Sequence, residues 1–535
     1  MKKGIFVGIA AIVAMMMLSV TAYSWQGRMG GMVDPYGLTP DDSDFLIHPS
    51  LITRGEGFDV YSHFNFTYTD ITKWDLDIDD LFFGTNWDES YDSSGDQFDY
   101  GALLGTAFGL GKGRMGIFFA YEGMNRDIDG DADYTSSQNQ FGSTSTSADY
   151  DLESDINDFS LRFIYGFPID VNCLNLGIEA KISYVDEKQS NEWEIGDGGS
   201  FLNHPLATLN VFWEANTLWF QVPYDSDYWN AGLKASANGQ ICLDSIGPID
   251  VALSFGGGFI FAGDNEYKYE VNEPGGDTAD VDGDGDIDGF NLGGDLWVRV
   301  PVSDDITLPY LVSVHYYEKN RDGKGTFSDP NAVFDIDGYD ASYNHKEDRF
   351  TIEAGGGMDM KLSDSSRGIV GLFYTYVNST DDFEFTLTEP GVGWQGVYDD
   401  STPDYNEHRI TLKLGWETAL SSTATIRTGL NTFYGFIDKE YRFYFTDNAA
   451  NFEEDIAKMD GYQWGIMASV GGSFKLNSVS LEPFINAGYR DINLDGDLDI
   501  SASIPPIPPG STDGDIEEDR QEWFVGCGLS ILFGN

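Results

Sequence analysis

Glu522-Trp523-Phe524-Val525-Gly526-Cys527-Gly528-Leu529-Ser530-Ile531-Leu532-Phe533 carries the chain almost to its end with a period of two. Trp523, Val525, Leu529, Ile531 and Phe533 share one face with the small Cys527. Gly526, Gly528 and Ser530 share the other, with Phe524 and Leu532 near its ends. Such alternation is a β-strand with two unlike faces. The pattern lasts about ten residues and is flanked by aromatics, the length and dressing of a strand that crosses a bilayer.

The same pattern recurs upstream. Together with the last strand there are about sixteen runs: Phe58–Asp70, Phe98–Leu110, Arg114–Met124, Ile156–Phe167, Cys173–Val185, Tyr228–Cys242, Pro248–Phe261, Phe290–Val302, Ile306–Tyr317, Arg349–Leu362, Gly368–Val377, Glu407–Ala419, Ala424–Ile437, Tyr462–Leu476, Val479–Arg490 and Glu522–Phe533. In the twelfth, His408, Ile410, Leu412, Leu414 and Trp416 oppose Arg409, Thr411, Lys413, Gly415 and Glu417. In the fifth, Leu176, Ile178, Ala180, Ile182 and Tyr184 oppose Asn175, Gly177, Glu179, Lys181 and Ser183. Charges confined to one face fit a wet lumen behind a lipid-facing wall. Connections alternate too. Gly111-Lys112-Gly113, Pro168-Ile169-Asp170, Asp244-Ser245-Ile246-Gly247 and Asn477-Ser478 are short, and those between them are long and acidic. The fold class that follows is all-β: a closed, antiparallel, up-and-down transmembrane β-barrel of about 16 strands. Short turns and both termini face the periplasm, and long loops face outside.

The start of the chain reads as an export signal. Lys2-Lys3 precedes an apolar run from Ile5 to Val20 and the cleavage pattern Ala22-Tyr23-Ser24, so residues 1–24 are expected to be removed. Residues 25–56 then form an N-terminal periplasmic or plug segment, and 57–535 the barrel. The chain has 89 acidic and 30 basic residues. Without Lys2 and Lys3 the balance is 28 against 89, a net charge of −61. Phosphates would be repelled, which excludes nucleic acid as a partner. High aromatic content, 15%, and sustained alternation argue against a disordered acidic chain.

The last strand resembles the C-terminal assembly signal of Gram-negative outer-membrane barrels, departing from it in the Gly534-Asn535 overhang. That resemblance implies outer-membrane lipid and the barrel assembly machinery as partners. Near the start, Arg28-Met29-Gly30-Gly31-Met32, Pro40-Asp41-Asp42-Ser43-Asp44 and Ile47-His48-Pro49-Ser50-Leu51 resemble the N-terminal segment of the long-chain fatty-acid transporter superfamily. There an Asn-Pro-Ala motif belongs to a plug; here His48-Pro49-Ser50 replaces it. The alternative is an ordinary periplasmic lead-in.

Candidate sites divide into four groups. The predicted lumen face carries Arg162, Lys181, Lys234, Arg299, Arg349, Lys361, Arg409, Lys413, Arg427 and Arg490, with Glu179, Asp295, Glu353, Asp359, Glu417 and Glu482. These are either solvating residues in cross-strand ion pairs or the wall of a charged permeation path. The stretch from Glu187 to Asp227 holds Glu192, Trp193, Glu194, Trp213, Glu214, Trp219 and Phe220, and its place resembles the third external loop that narrows general porins. Asp280, Asp282, Asp284, Asp286 and Asp288, with Gly285 and Ile287, follow the spacing of an EF-hand calcium loop but have Asn291 where the bidentate Glu belongs. Weak calcium binding in an external loop is expected there, against the plainer reading of a hydrated acidic turn. Asp127-Ile128-Asp129-Gly130-Asp131 and Asp495-Gly496-Asp497-Leu498-Asp499 are shorter versions. Finally, parity puts Cys173 and Cys242 on the lumen face at the periplasmic end, where a disulfide is stereochemically open to them, while Cys527 faces lipid.

No C-x-x-C, nucleophile elbow, H-E-x-x-H or phosphate-binding glycine loop occurs, and no enzyme or cofactor is expected apart from calcium. The function expected is a porin-like channel for passive diffusion of small hydrophilic solutes or ions through a charged lumen, as a homotrimer or a monomer. A transporter of hydrophobic compounds would instead need a plug and an apolar pocket, and would conduct few ions. A structural or docking barrel with calcium-binding acidic loops is the third reading.

Overall fold

The computed structural model describes residues 32, 38, 44–55, 57–82, 85–138, 142–169, 173–195, 224–243, 247–272, 278–328, 340–388, 395–447, 452–477, 479–503 and 510–533. Two short 3₁₀ turns, Asp44–Leu46 and Pro49–Arg54, precede sixteen strands. The strands are β1 (Phe58–Phe82), β2 (Thr85–Leu110), β3 (Gly113–Gln138), β4 (Gly142–Ile169), β5 (Leu174–Ile195), β6 (Tyr224–Leu243), β7 (Gly247–Asn272) and β8 (Thr278–Ser303). They continue as β9 (Ile306–Ser328), β10 (Asp340–Lys361), β11 (Ser366–Thr388), β12 (Gln395–Ser421), β13 (Ala424–Asp447), β14 (Phe452–Leu476), β15 (Val479–Ser503) and β16 (Gly510–Phe533). Each pairs antiparallel with its neighbours in sequence, and β16 returns to β1 with Phe533 opposite Val60, so the barrel closes.

Each run that alternates in the sequence lies in one of these strands, with Cys173 and Leu362 one residue outside theirs. The turns between β2 and β3 and after β14 are tight because Gly111 and Asn477 adopt left-handed backbone, φ 63° and 57°. On the halves of the strands next to the short turns, large apolar residues point outward and are exposed. Examples are Leu253, Phe255 and Phe259 on β7, Ile410 and Trp416 on β12, and Trp464, Ile466 and Val470 on β14. A closed barrel with such a belt satisfies every backbone polar group inside lipid. This is a transmembrane barrel of the Gram-negative outer membrane.

The strands run on well beyond the belt. They are 20 residues long in β6 and 28 in β4, where about 9–11 suffice to cross a bilayer. Their outer halves form an acidic turret, with Asp75, Asp77 and Asp79 on β1 paired to Asp519, Glu517 and Asp515 on β16. Alternation alone assigns these stretches to loops. They are strand because two polar faces in water still satisfy a ladder of backbone hydrogen bonds.

Candidate functional site

The site begins with apolar residues at the N-terminal end of the described chain. Phe45, Leu46, Leu51 and Ile52, carried on the two 3₁₀ turns, are buried although they precede the first strand. Their neighbours are lumen-facing wall residues: Leu103 and Ala107 on β2, Phe118 and Ala120 on β3, Ile164 on β4, Ala252 on β7 and Trp297 on β8. Phe45 packs on Tyr61 and Phe118 at ring-centroid distances of 5.4 and 5.2 Å. Further upstream, Met32 and Leu38 pack with Leu311, Ile369 and Phe373 on β9 and β11. A segment that touches β2–β4 with one part and β9–β13 with another lies inside the barrel.

The wall is built to receive it. Gly177 on β5 faces the backbone of Ser50, and Gly429 on β13 faces the backbone of Met32, so closely that a Cβ at either glycine would overlap it. Gly357 and Gly371 leave the same kind of room for Leu38. Polar contacts fix the seat. The Ser50 amide donates to Ser236 Oγ at 2.6 Å. Arg299 Nη1 donates to the Leu38 carbonyl at 3.0 Å while its Nη2 holds Asp359 at 2.7 Å. Arg54 lies over the Trp297 ring at 5.3 Å and pairs with Asp44 at 3.9 Å. His48 is buried beside these groups, and among the described residues neither ring nitrogen has a hydrogen-bond partner. Burial lowers its pKa from 6.5 to about 4. The nearby Asp295 pulls it up, and Lys234 and Arg54 push it down.

The basic residues read from the sequence do reach the lumen face, but most are matched by carboxylates. Arg162 meets Glu179 at 2.7 Å, Lys181 meets Asp158 at 3.4 Å and Lys234 meets Asp295 at 3.2 Å. Arg409 meets Glu407 at 3.3 Å, Arg427 meets Glu417 and Glu482 at 2.8 and 3.4 Å, and Arg490 meets Glu522 at 3.8 Å. Lys413 sits over the Phe373 ring at 4.6 Å. Lys361 lies at the periplasmic rim, bound to Asp364 at 2.8 Å. Arg349 is exposed. The ion-pair reading describes this wall better than a row of bare charges.

Three expectations change. Glu192, Trp193 and Glu194 belong to β5 rather than to a loop, while Trp213, Glu214 and Trp219, like residues 1–24, lie outside the described residues. Among the described residues, those seen packed inside the barrel belong to the N-terminal segment. Asp280, Asp282, Asp284, Asp286 and Asp288 lie in extended β8 rather than in the loop expected for them. The three carboxylates that do gather, within 4.8 Å among the described residues, are Asp127, Asp129 and Asp151 on β3 and β4. Cys173 is free and exposed in the turn before β5, at φ 56°. Asn175 pairs with Asn238, so continuing the register puts Gln240, not Cys242, across from Cys173, and the expected disulfide does not form.

The open charged lumen expected for passive diffusion of small hydrophilic solutes or ions is therefore corrected: near its periplasmic end apolar residues of the N-terminal segment pack against an apolar part of its wall. Comparison with known proteins gives the following. The model of the autotransporter beta-domain matches residues 322–496. No curated protein matches the chain. Several solved structures are similar over nearly their whole length. A mutant of the TodX monoaromatic hydrocarbon channel is 9% identical, covers 97% of this chain and 99% of its own, and has a TM-score of 0.42. A Pseudomonas aeruginosa FadL homologue is 13% identical over 97% and 99%, with a TM-score of 0.40. The Ralstonia pickettii toluene transporter TbuX is 10% identical over 96% and 99%, with a TM-score of 0.34.

Proposed function

We propose that the protein carries hydrophobic compounds across the outer membrane, with the segment through Arg54 as its plug. The observation that carries this reading is the surface under the plug. Tyr61, Leu103, Ala107, Phe118, Ala120 and Ile164 make an apolar strip on the lumen face of adjacent strands, covered by Phe45, Leu46, Leu51 and Ile52. Hydrated solutes gain nothing from an apolar strip, whereas an apolar solute replacing the plug leaves water as the plug does. The test compares uptake of an apolar aromatic with uptake of a sugar of similar size, in cells with and without the protein. Planar-bilayer conductance of the refolded chain accompanies it. Faster entry of the aromatic alone, with no porin-scale conductance, is the expected result. Porin-scale conductance, or no difference for the aromatic, would overturn it.

A further inference from the structure

Far above the plug, side chains from distant strands meet inside the barrel. Glu187 on β5 accepts from Tyr228 Oη on β6 at 2.6 Å. It also binds Lys319 Nζ at 3.0 Å and Arg321 Nη2 at 2.7 Å, both on β9. Arg321 reaches from there to Glu347 on β10, which also accepts from Tyr317. The Arg321 guanidinium lies over the Tyr224 ring of β6 at 4.1 Å. All of these side chains are on the lumen faces of their strands, and Glu187, Lys319 and Arg321 are buried.

These contacts do not run along the wall. Between β5 and β9 the sheet order has β6, β7 and β8. Four strand spacings along a sheet amount to roughly 19 Å. Extended Arg and Glu side chains together fall short of that span, so the ion pair at 2.7 Å requires the two arcs to bend toward each other. Other contacts agree. Asn265 on β7 donates to Tyr343 on β10, and Glu194 on β5 pairs directly with Asn272 on β7. On the opposite arc Lys439 of β13 reaches Glu518 of β16 at 3.3 Å, past two intervening strands. Ile71, Ile128, Leu494 and Ile516 are buried at that level.

The height matters. Ser50 seats against Gly177, close to the turn before β5. Glu187 is ten residues further along the same strand, which for a strand tilted by about 40° is roughly 25 Å higher. The plug thus lies at the periplasmic edge of the membrane and the clamp at its outer edge.

We propose that Glu187, Lys319, Arg321 and Glu347 form an outer gate, so that the barrel encloses a chamber shut at both ends. Two carboxylates and two cations make the clamp neutral, with Glu187 on β5 facing Lys319, Arg321 and Glu347 on β9 and β10. Parting the arcs breaks both Lys319 and Arg321 from Glu187, while both cations keep Glu347 and Glu187 keeps Tyr228, so opening leaves no cation stranded. The gate is independent of which solute the protein carries.

Thr351→Cys tests it. Position 351 is on the lumen face of β10, four residues below Glu347. In a background of Cys173→Ser, Cys242→Ser and Cys527→Ser, intact cells are treated with a bulky, charged, membrane-impermeant maleimide dye. The plug shields this position from the other side. With the clamp intact, labelling should be slow. Adding Glu187→Gln and Arg321→Met, which removes the cross-lumen pair without changing net charge, should speed it at least tenfold. Fast labelling with the clamp intact would overturn the gate. Equal, slow labelling in both proteins would also overturn it, because closure would then rest on something else. If the double variant fails to assemble, as read by heat-modifiable electrophoretic mobility, Arg321→Lys takes its place. That variant keeps the charge but loses the forked grip on two carboxylates, and must still speed labelling.

Discussion

Acidification should loosen the plug, and His48 sets the size of the effect. Its ring is buried at the head of the second 3₁₀ turn, with Asp295, Lys234 and Arg54 as the charged groups nearest to it. Docked, its pKa is about 4; freed into water it returns to 6.5. The freed plug therefore takes up a proton at a pH where the docked plug remains neutral. Docking strength is complete above pH 6.5 and declines as pH falls from there toward 4. Between pH 7 and pH 5 the loss comes to about 2 kcal/mol, or roughly a 20-fold rise in the undocked population. Hydrogen exchange of the peptide spanning residues 44–55 reads that population, once intrinsic exchange rates are corrected for pH. Wild-type protein should lose roughly 20-fold in protection between the two pH values, as this linkage requires. His48→Asn puts there the residue of the motif that this stretch resembles, and removes the titrating group. Its protection should not change over the same interval. Equal protection of the wild type at both pH values, or the same loss in His48→Asn, would refute the reasoning.

Two further outcomes follow from the packing. Gly177→Val and Gly429→Val each place side-chain atoms where the backbone of Ser50 or Met32 lies, so both should expel the plug. Exchange protection of residues 44–55 should vanish while heat-modifiable mobility shows an intact barrel; a protected plug in either variant would contradict the seat described here. Cys173, free in its turn and two residues out of register with Cys242, should alkylate quantitatively without reductant, and a peptide linking Cys173 to Cys242 would show the register to be wrong.

The membrane-crossing part of every strand was legible because lipid and water select opposite residues on its two faces. Ile410, Leu412 and Leu414 against Arg409, Thr411 and Lys413 is such a case. Above the membrane that contrast ends. Stretches such as Asp280–Asp288 have water on the outer face and carry mostly acids and glycines, so they read as loop although the backbone ladder continues. The clamp was hidden for a related reason. Glu187 and Arg321 are 134 positions apart in the chain, and only the folding of two arcs toward each other brings them together. The plug left a fainter trace, and it was available. Gly177, Gly357, Gly371, Gly415 and Gly429 all fall on the face that alternation assigns to the lumen, near the periplasmic ends of their strands. A lumen filled only with water has no need of glycine there. Water tolerates any polar side chain, and glycine weakens a strand by leaving nothing to pack. A row of them on an inward face is accounted for when another backbone lies against it. In this barrel Gly177 and Gly429 face the backbone of Ser50 and Met32, and Gly357, Gly371 and Gly415 face the side chains of Leu38 and Met32.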